Sequence, residues 1–139
     1  MSIIFFCPDA TTHKVTCDYR DDCIATGVPC KKDCDGTKEE SDAPECNFSN
    51  DNAFGVMTLV GLPKEYHGEI KIESMPKLQQ ALLMAINKEK ARKHLIRKPY
   101  ITDRFVDCGN TDEWTLKRLH AIQALVTYAQ LHKLKIAWE

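Results

Sequence analysis

The chain has 139 residues, of which 43% are hydrophobic and 28% are charged, and this composition fits one globular domain with a core of ordinary size. No apolar run approaches the ~20 residues that a membrane-spanning helix needs, so we expect no membrane partner. The net charge of −1 conceals an asymmetry: residues 1–55 carry −6 and residues 56–139 carry +5. Such asymmetry can indicate that the protein binds nucleic acid or another acidic partner. It can also mean that the two halves of the chain attract each other in the fold.

The N-terminal sequence MSIIFFCPDATTHK differs from a signal peptide. Its apolar run has four residues, no basic segment precedes it and no small-residue cleavage pattern follows it. We therefore expect a soluble, cytoplasmic protein. Thiols are kept reduced in the cytosol, where a cysteine cluster is more often a metal site than a disulfide framework.

The N-terminal third predicts a hairpin followed by an irregular segment. SIIFFC and HKVTCDY have strand patterns on either side of the polar turn PDATT, so residues ~2–19 should form two antiparallel strands that bring Cys7 close to Cys17. Residues 21–52 are polar, contain glycines and prolines and lack periodicity. A loop of that length is unusual unless something, such as a bound metal, fixes it.

The remainder of the chain predicts a second hairpin and two helices. FGVMTLVGL and HGEIKIES have the patterns of two strands, which gives an antiparallel hairpin over residues ~54–73. A helix is expected from Lys77 to about Arg97, and a second one of about 23 residues from Asn110, where Asn110 and Glu113 resemble a capping box. The two helices should pack through Leu78, Leu82 and Ile86 on the first and Leu119, Ile122 and Val126 on the second.

These elements together predict an α+β fold, in which the two antiparallel hairpins pack against two C-terminal helices and a cysteine-rich irregular insertion lies between them. We expect a single domain over residues 1–139. Residues 1–53 would form the N-terminal hairpin and the acidic, cysteine-rich segment, and residues 54–139 would form a ββαα core.

Six of the seven cysteines lie between residues 7 and 46, in the pattern C-x9-C-x5-C-x6-C-x3-C-x11-C. Zinc takes four thiolate or imidazole ligands in a tetrahedron. The polar, proline-containing sequence around Cys23, Cys30, Cys34 and Cys46 offers these four little core to enter. We therefore expect zinc, although the pattern lacks a C-x2-C pair, and both disulfides and ordinary reduced thiols stay open as alternatives. The predicted ligands are Cys17, Cys23, Cys30 and Cys34, with Cys7, Cys46 and His13 as alternates.

A basic stretch, KEKARKHLIRK, occupies residues 88–98. On a helix, its cations could neutralise the phosphates of a nucleic acid. Cations near the end of a helix also complement its dipole and keep the surface solvated, which is the more ordinary explanation. The nucleic-acid-binding residues of this alternative are Lys88, Arg92, Lys93 and Arg97.

Enzyme motifs are weak. Glu69-Ile70-Lys71 has the E-x-K form found in metal-dependent nucleases, with Asp42 or Asp51 as an upstream carboxylate, but alternating exposed strands produce the same pattern. Cys108 lies outside the cluster, and a nucleophile needs a base nearby, which sequence does not reveal. The chain has no Gly-rich phosphate loop, G-x-S-x-G or H-E-x-x-H.

The sequence thus favours binding over catalysis. The leading hypothesis is a small cytoplasmic, non-enzymatic regulator or inhibitor that binds a protein partner and has a zinc-stabilised segment. The alternative is a nucleic-acid-binding accessory protein that uses residues 88–98, and a metal-dependent nuclease comes third. Small proteins of this type are frequent in phages and mobile elements, which makes such a source a further hypothesis.

Overall fold

A computed structural model describes residues 1–32, 34–92, 100–102, 105–107 and 112–139. Its antiparallel strands and helices confirm the α+β class. Contacts divide the chain into two compact units. We call Met1–Asp9 with Pro44–Glu139 the core unit, and Ala10–Ala43 the cysteine unit. The expectation of one domain over residues 1–139 stays a prediction.

The core unit contains a four-stranded antiparallel sheet in which every neighbouring pair is hydrogen-bonded. Phe5, in an inner strand, lies opposite Cys46 on one side and Trp138 on the other. Its ring contacts Phe48 and Trp138, so aromatic side chains fill this part of the core. The strand order is β4 (Cys46–Ser49), β1 (Ser2–Phe6), β8 (Ile136–Trp138) and β5 (Gly68–Ile70).

Three long helices complete the core unit: α2 (Asn50–Val60), α3 (Met75–Ala91) and α4 (Asp112–His132). A short 3-10 helix, Ile72–Ser74, leads into α3. Helices α3 and α4 pack against each other, and all six residues predicted for their contact are buried. In the described part of the chain, no helix combines the length and apolarity required to cross a membrane.

A small hairpin lies between α3 and α4 in sequence. Its strands are β6 (Tyr100–Thr102) and β7 (Phe105–Asp107), which pair antiparallel. No strand was predicted between the two C-terminal helices. Two strands of three residues are too short to show a periodic pattern, so this element was missed.

The predicted hairpin over residues ~54–73 is wrong. Its first arm belongs to helix α2, and only Gly68–Ile70 of the second arm is a strand, which pairs with β8. A continuous apolar run does not distinguish a buried strand from a buried helix. The residues that α2 buries, Ala53, Val56, Met57 and Val60, follow helical spacing, and Gly61 ends the helix with a φ of 74°.

The predicted hairpin over residues ~2–19 is also wrong, although both of its strands exist. Strand β1 pairs with β4 and β8, whereas β2 (Thr12–Thr16) pairs with β3 (Thr37–Ser41). Turn chemistry at PDATT was therefore a poor guide to the pairing, because both strands have partners that are distant in sequence. The expected proximity of Cys7 and Cys17 loses its basis.

The cysteine unit is more regular than its sequence suggests. Strands β2 and β3 form an antiparallel ladder from Thr12 opposite Ser41 to Thr16 opposite Thr37. Helix α1 (Arg20–Thr26) lies between them in sequence and ends at Gly27, whose φ of 68° is left-handed. The unit is inserted between β1 and β4, which pair with each other in the core unit.

Candidate metal centre

Three cysteine sulfurs meet at one end of the β2–β3 ladder. The Sγ atoms of Cys17, Cys30 and Cys34 all lie within 4.8 Å of one another. The sulfurs of Cys17 and Cys30 are 3.8 Å apart. Since Zn–S bonds are ~2.3 Å long, two sulfurs of a tetrahedral site should be separated by about 3.8 Å. These three cysteines could therefore hold a metal ion.

Cys23, the fourth predicted ligand, lies beside this group. Its Sγ accepts a hydrogen bond from the backbone N–H of Cys30 at 3.2 Å. It is not among the three sulfurs that are mutually within 4.8 Å. The structure thus brings three of the predicted ligands together and places the fourth against one of them.

Local backbone hydrogen bonds position the three sulfurs. The N–H of Cys17, which follows β2, donates to the carbonyl of Gly36 at 2.9 Å, so both ends of the cysteine-rich segment are joined. The N–H of Cys34 donates to the carbonyl of Lys31 at 3.2 Å. This bond lies between Cys30 and Cys34 in sequence, and the sulfurs of these two residues are within 4.8 Å of each other.

Hydrogen bonds within the cluster shift the pKa values of two of its thiols in opposite directions. The Gly36 N–H donates to the Cys34 sulfur at 3.4 Å, and this bond is the main reason that the pKa of Cys34 is lowered. The pKa of Cys30 is raised to about 12, chiefly by its hydrogen bond to Cys34, then by desolvation and by the sulfurs of Cys17 and Cys23. Crowded thiols resist full ionisation because their negative charges repel, and a divalent cation would relieve that repulsion.

The alternate ligands have other environments. Cys7 and Cys46 are buried in the core unit, and burial raises the pKa of each to about 11. His13, in the cysteine unit, has its Nδ1 atom 2.6 Å from Oδ1 of Asp42. All six cysteines that the structure describes are free thiols, so the disulfide alternative finds no support among them.

The surface around the cluster is concave and partly apolar. A cleft of about 640 Å³ is lined by Cys17, Cys30 and Cys34 together with Tyr19 and Lys38. Helix α1 buries none of its residues. Three large apolar side chains beside the cysteines are exposed: Tyr19 (61%), Ile24 (70%) and Val28 (66%). These three residues were not predicted as part of a site; their only sequence signal is apolar character close to the predicted ligands.

The basic stretch is described in part. Lys88 and Arg92 are exposed, and Arg92 donates from Nη1 to Oε1 of Glu89 at 3.5 Å. Lys93 and Arg97 lie outside the described residues, as does Cys108. Binding of nucleic acid by this stretch stays a prediction.

The E-x-K sequence forms an ordinary surface pair. Glu69 lies in β5 and forms an ion pair with Lys135 at 3.2 Å, with both side chains partly exposed. Within the described ranges, the cysteine cluster is the only group of three or more potential metal ligands, and it includes neither Glu69 nor Asp51 nor Asp42. The nuclease hypothesis therefore gains no carboxylate cluster from the described residues.

Comparison with protein-family models, with curated proteins and with solved structures finds no match to this chain.

Proposed function

We propose that the cysteine unit binds one zinc ion through Cys17, Cys23, Cys30 and Cys34 and serves as a protein-binding module. The observation that carries this proposal is the separation of 3.8 Å between the sulfurs of Cys17 and Cys30, which equals the ~3.8 Å edge of a tetrahedral zinc–thiolate site. The two residues are 13 apart in sequence, so the match arises from the fold of the segment.

Zinc is the metal that suits these donors best. An all-sulfur tetrahedral set favours zinc or an iron–sulfur centre over magnesium or calcium, which prefer oxygen. Cys23 is the fourth ligand in this proposal because its sulfur already contacts Cys30. Zinc would add folding free energy to a unit that otherwise has a short helix with no buried residue.

The partner should be a protein surface with an apolar centre and a basic rim. Tyr19, Ile24 and Val28 are exposed and lie close in sequence to the proposed ligands, so they would supply apolar contacts to a partner. The cysteine unit has eight acidic and five basic side chains, for a net charge of −3, and zinc bound to four thiolates would add about −2. A cationic partner would therefore be attracted. The protein would act by binding, as a regulator or inhibitor, and needs no catalytic group in this role.

Native mass spectrometry under reducing conditions, with and without a chelator, tests the metal. We expect one zinc per chain in the wild type, none after chelation, and a lower zinc content in Cys30→Ser. Cys7→Ala is the matched control, because it removes a cysteine of the core unit and should retain the zinc. Full zinc occupancy in Cys30→Ser would remove that residue from the ligand set, and a metal-free wild type would end the zinc hypothesis.

The protein-binding part needs a separate test. A library of labelled peptides that are both cationic and apolar can be screened by fluorescence polarisation against the zinc-loaded protein. Peptides that bind should lose at least tenfold in affinity for Ile24→Asp, whereas zinc content stays unchanged. A library without binders, or binders that are insensitive to Ile24→Asp, would contradict a docking role for this surface.

A further inference from the structure

The core unit has a cleft of its own, which contains none of the cysteines and includes Asp51, one of the carboxylates of the E-x-K hypothesis. It has a volume of about 310 Å³ and lies among helices α2, α3 and α4. Small-molecule sites have volumes from ~300 Å³ upwards, so this cleft suits a small ligand. Its lining combines charged residues from all three helices with an apolar strip on α2.

A buried carboxylate forms part of the cleft. Glu89 is only 4% exposed, although it is charged, and it follows Leu78, Leu82 and Ile86 on the buried face of α3. Within the described ranges its side-chain partner is Arg92, whose Nη1 lies 3.5 Å from Glu89 Oε1, the far limit of a hydrogen bond. A buried carboxylate normally has closer partners, because burying an ion without them is costly. Glu89 therefore has capacity for a further cationic group.

A glycine in the middle of α2 is the second observation. Gly55 is exposed and lines the cleft, and among the described residues a Cβ atom added to it would meet nothing within 4 Å apart from its chain neighbours and the backbone of its own helix. Its backbone is helical, so no positive φ requires glycine. Glycine inside a helix destabilises it relative to alanine. The described structure thus gives no packing reason for Gly55, but a ligand lying against α2 would supply one.

The charges at the mouth of the cleft are of both signs. Arg118 on α4 and Asp51 in the first turn of α2 both line it. Neither forms an ion pair with another residue in the part of the chain that the structure describes. A guanidinium binds a carboxylate through two parallel hydrogen bonds, so Arg118 offers a site for an anionic group.

From this juxtaposition we propose that the cleft binds a free α-amino acid with an aliphatic side chain. The ammonium group would interact with Glu89 and Asp51, and the carboxylate with Arg118. The side chain would lie along α2, in the space left open by Gly55 and beside Leu59, which is partly exposed. This site is independent of the zinc proposal, since every one of its residues belongs to the core unit.

Isothermal titration calorimetry of the full chain with L-leucine tests the proposal. Two analogues isolate the charges: 4-methylpentanoate lacks the ammonium group, and 3-methylbutylamine lacks the carboxylate. We expect saturable binding of one L-leucine per chain and at least tenfold weaker binding of each analogue. Arg118→Gln should reduce the affinity for L-leucine at least tenfold. L-leucine and 3-methylbutylamine, which differ only in the carboxylate, should then bind this variant with similar affinity.

Gly55→Ala separates a binding role from a structural one. It should raise the melting temperature, because alanine stabilises a helix, and yet weaken L-leucine binding at least tenfold. Thr58→Ala is the matched control on α2: it removes an exposed residue that does not line the cleft and should leave binding unchanged.

Three results would overturn the proposal. The first is no saturable heat with L-leucine up to about 10 mM, beyond the ordinary millimolar range. The second is equal affinity for L-leucine and either analogue, which would mean that the paired charges are not recognised. The third is unchanged binding in Gly55→Ala, which would place the ligand elsewhere.

Discussion

Replacement of Leu82 by alanine measures the packing of α3 against α4. Leu82 is 0% exposed, and the facing stripe of α4 includes the equally buried Leu119. Leucine to alanine removes three carbon atoms, and at ~0.8 kcal/mol per buried methylene the lost transfer free energy is about 2.4 kcal/mol. An unrelaxed cavity of roughly 80 Å³ would add about 2 kcal/mol at ~24 cal/mol per Å³. We expect Leu82→Ala to lower the free energy of unfolding by about 2.4–4.4 kcal/mol.

The adjacent leucine supplies a matched control. Leu83 lies on the same helix but is 46% exposed, so Leu83→Ala removes the same atoms with about half the loss of buried surface and no closed cavity. It should cost about 1 kcal/mol or less. Urea denaturation at fixed zinc concentration, followed by circular dichroism, gives both values, provided that the m-values agree. A cost of under about 0.5 kcal/mol for Leu82→Ala, or equal costs for the two variants, would refute the assignment of the buried face.

Two further predictions concern thiols and nucleic acid. Cys7 and Cys46, with pKa values of about 11, should react slowly with iodoacetamide at pH 8 in the native protein, and the rates should rise with pH as thiolate forms. Mass spectrometry of digests measures the labelling of each cysteine. Rapid labelling of both would contradict their burial. For the basic stretch, we expect no DNA or RNA binding tighter than about 10 μM at ~50 mM salt in a fluorescence titration. Submicromolar affinity that disappears on charge reversal at Arg92 and Lys93 would instead make residues 88–98 a nucleic-acid site.

The helices of the core unit show what periodicity predicts well. Helix α3 has apolar residues at Leu78, Leu82 and Ile86, a spacing of four that is typical of a helix with one buried face. Helix α2 was mistaken for a strand because its apolar residues run together from Phe54. The apolar residues Ala53, Val56, Met57 and Val60 have helical spacing, but nothing in the sequence indicates that these are the residues that become buried.

The sheet was harder to predict than the helices. Strand β8 has three residues, Ile136–Trp138, yet it lies between β1 and β5. A three-residue strand has too little alternation to be recognised, and its partners are 66 or more residues away in sequence. Pairing of that kind depends on how the helices fold the chain back, which local patterns do not encode.

The candidate metal site was predicted from spacing and residue type. Polar, proline-containing sequence surrounds Cys23, Cys30, Cys34 and Cys46, and it was misleading for Cys46, which the core buries. The separation of the three clustered sulfurs depends on the turn between Lys31 and Cys34 and on the bond from Cys17 to Gly36, neither of which has a sequence signature. The cleft in the core unit was not predicted, because one of the three helices that line it, α2, had been predicted as a strand.

The insertion of the cysteine unit into the connection between β1 and β4 affects how the sheet forms. Forty residues separate Phe5 from Cys46, and ordering so long a loop opposes their pairing. Once β2 and β3 have paired, the Asp42 N–H donates to the Thr11 carbonyl at 2.8 Å and the open loop shrinks to roughly ten residues. Two halvings of loop length are worth about 1.2 kcal/mol. A metal that folds the cysteine unit would thereby accelerate and strengthen the alignment of a sheet that contains none of its ligands.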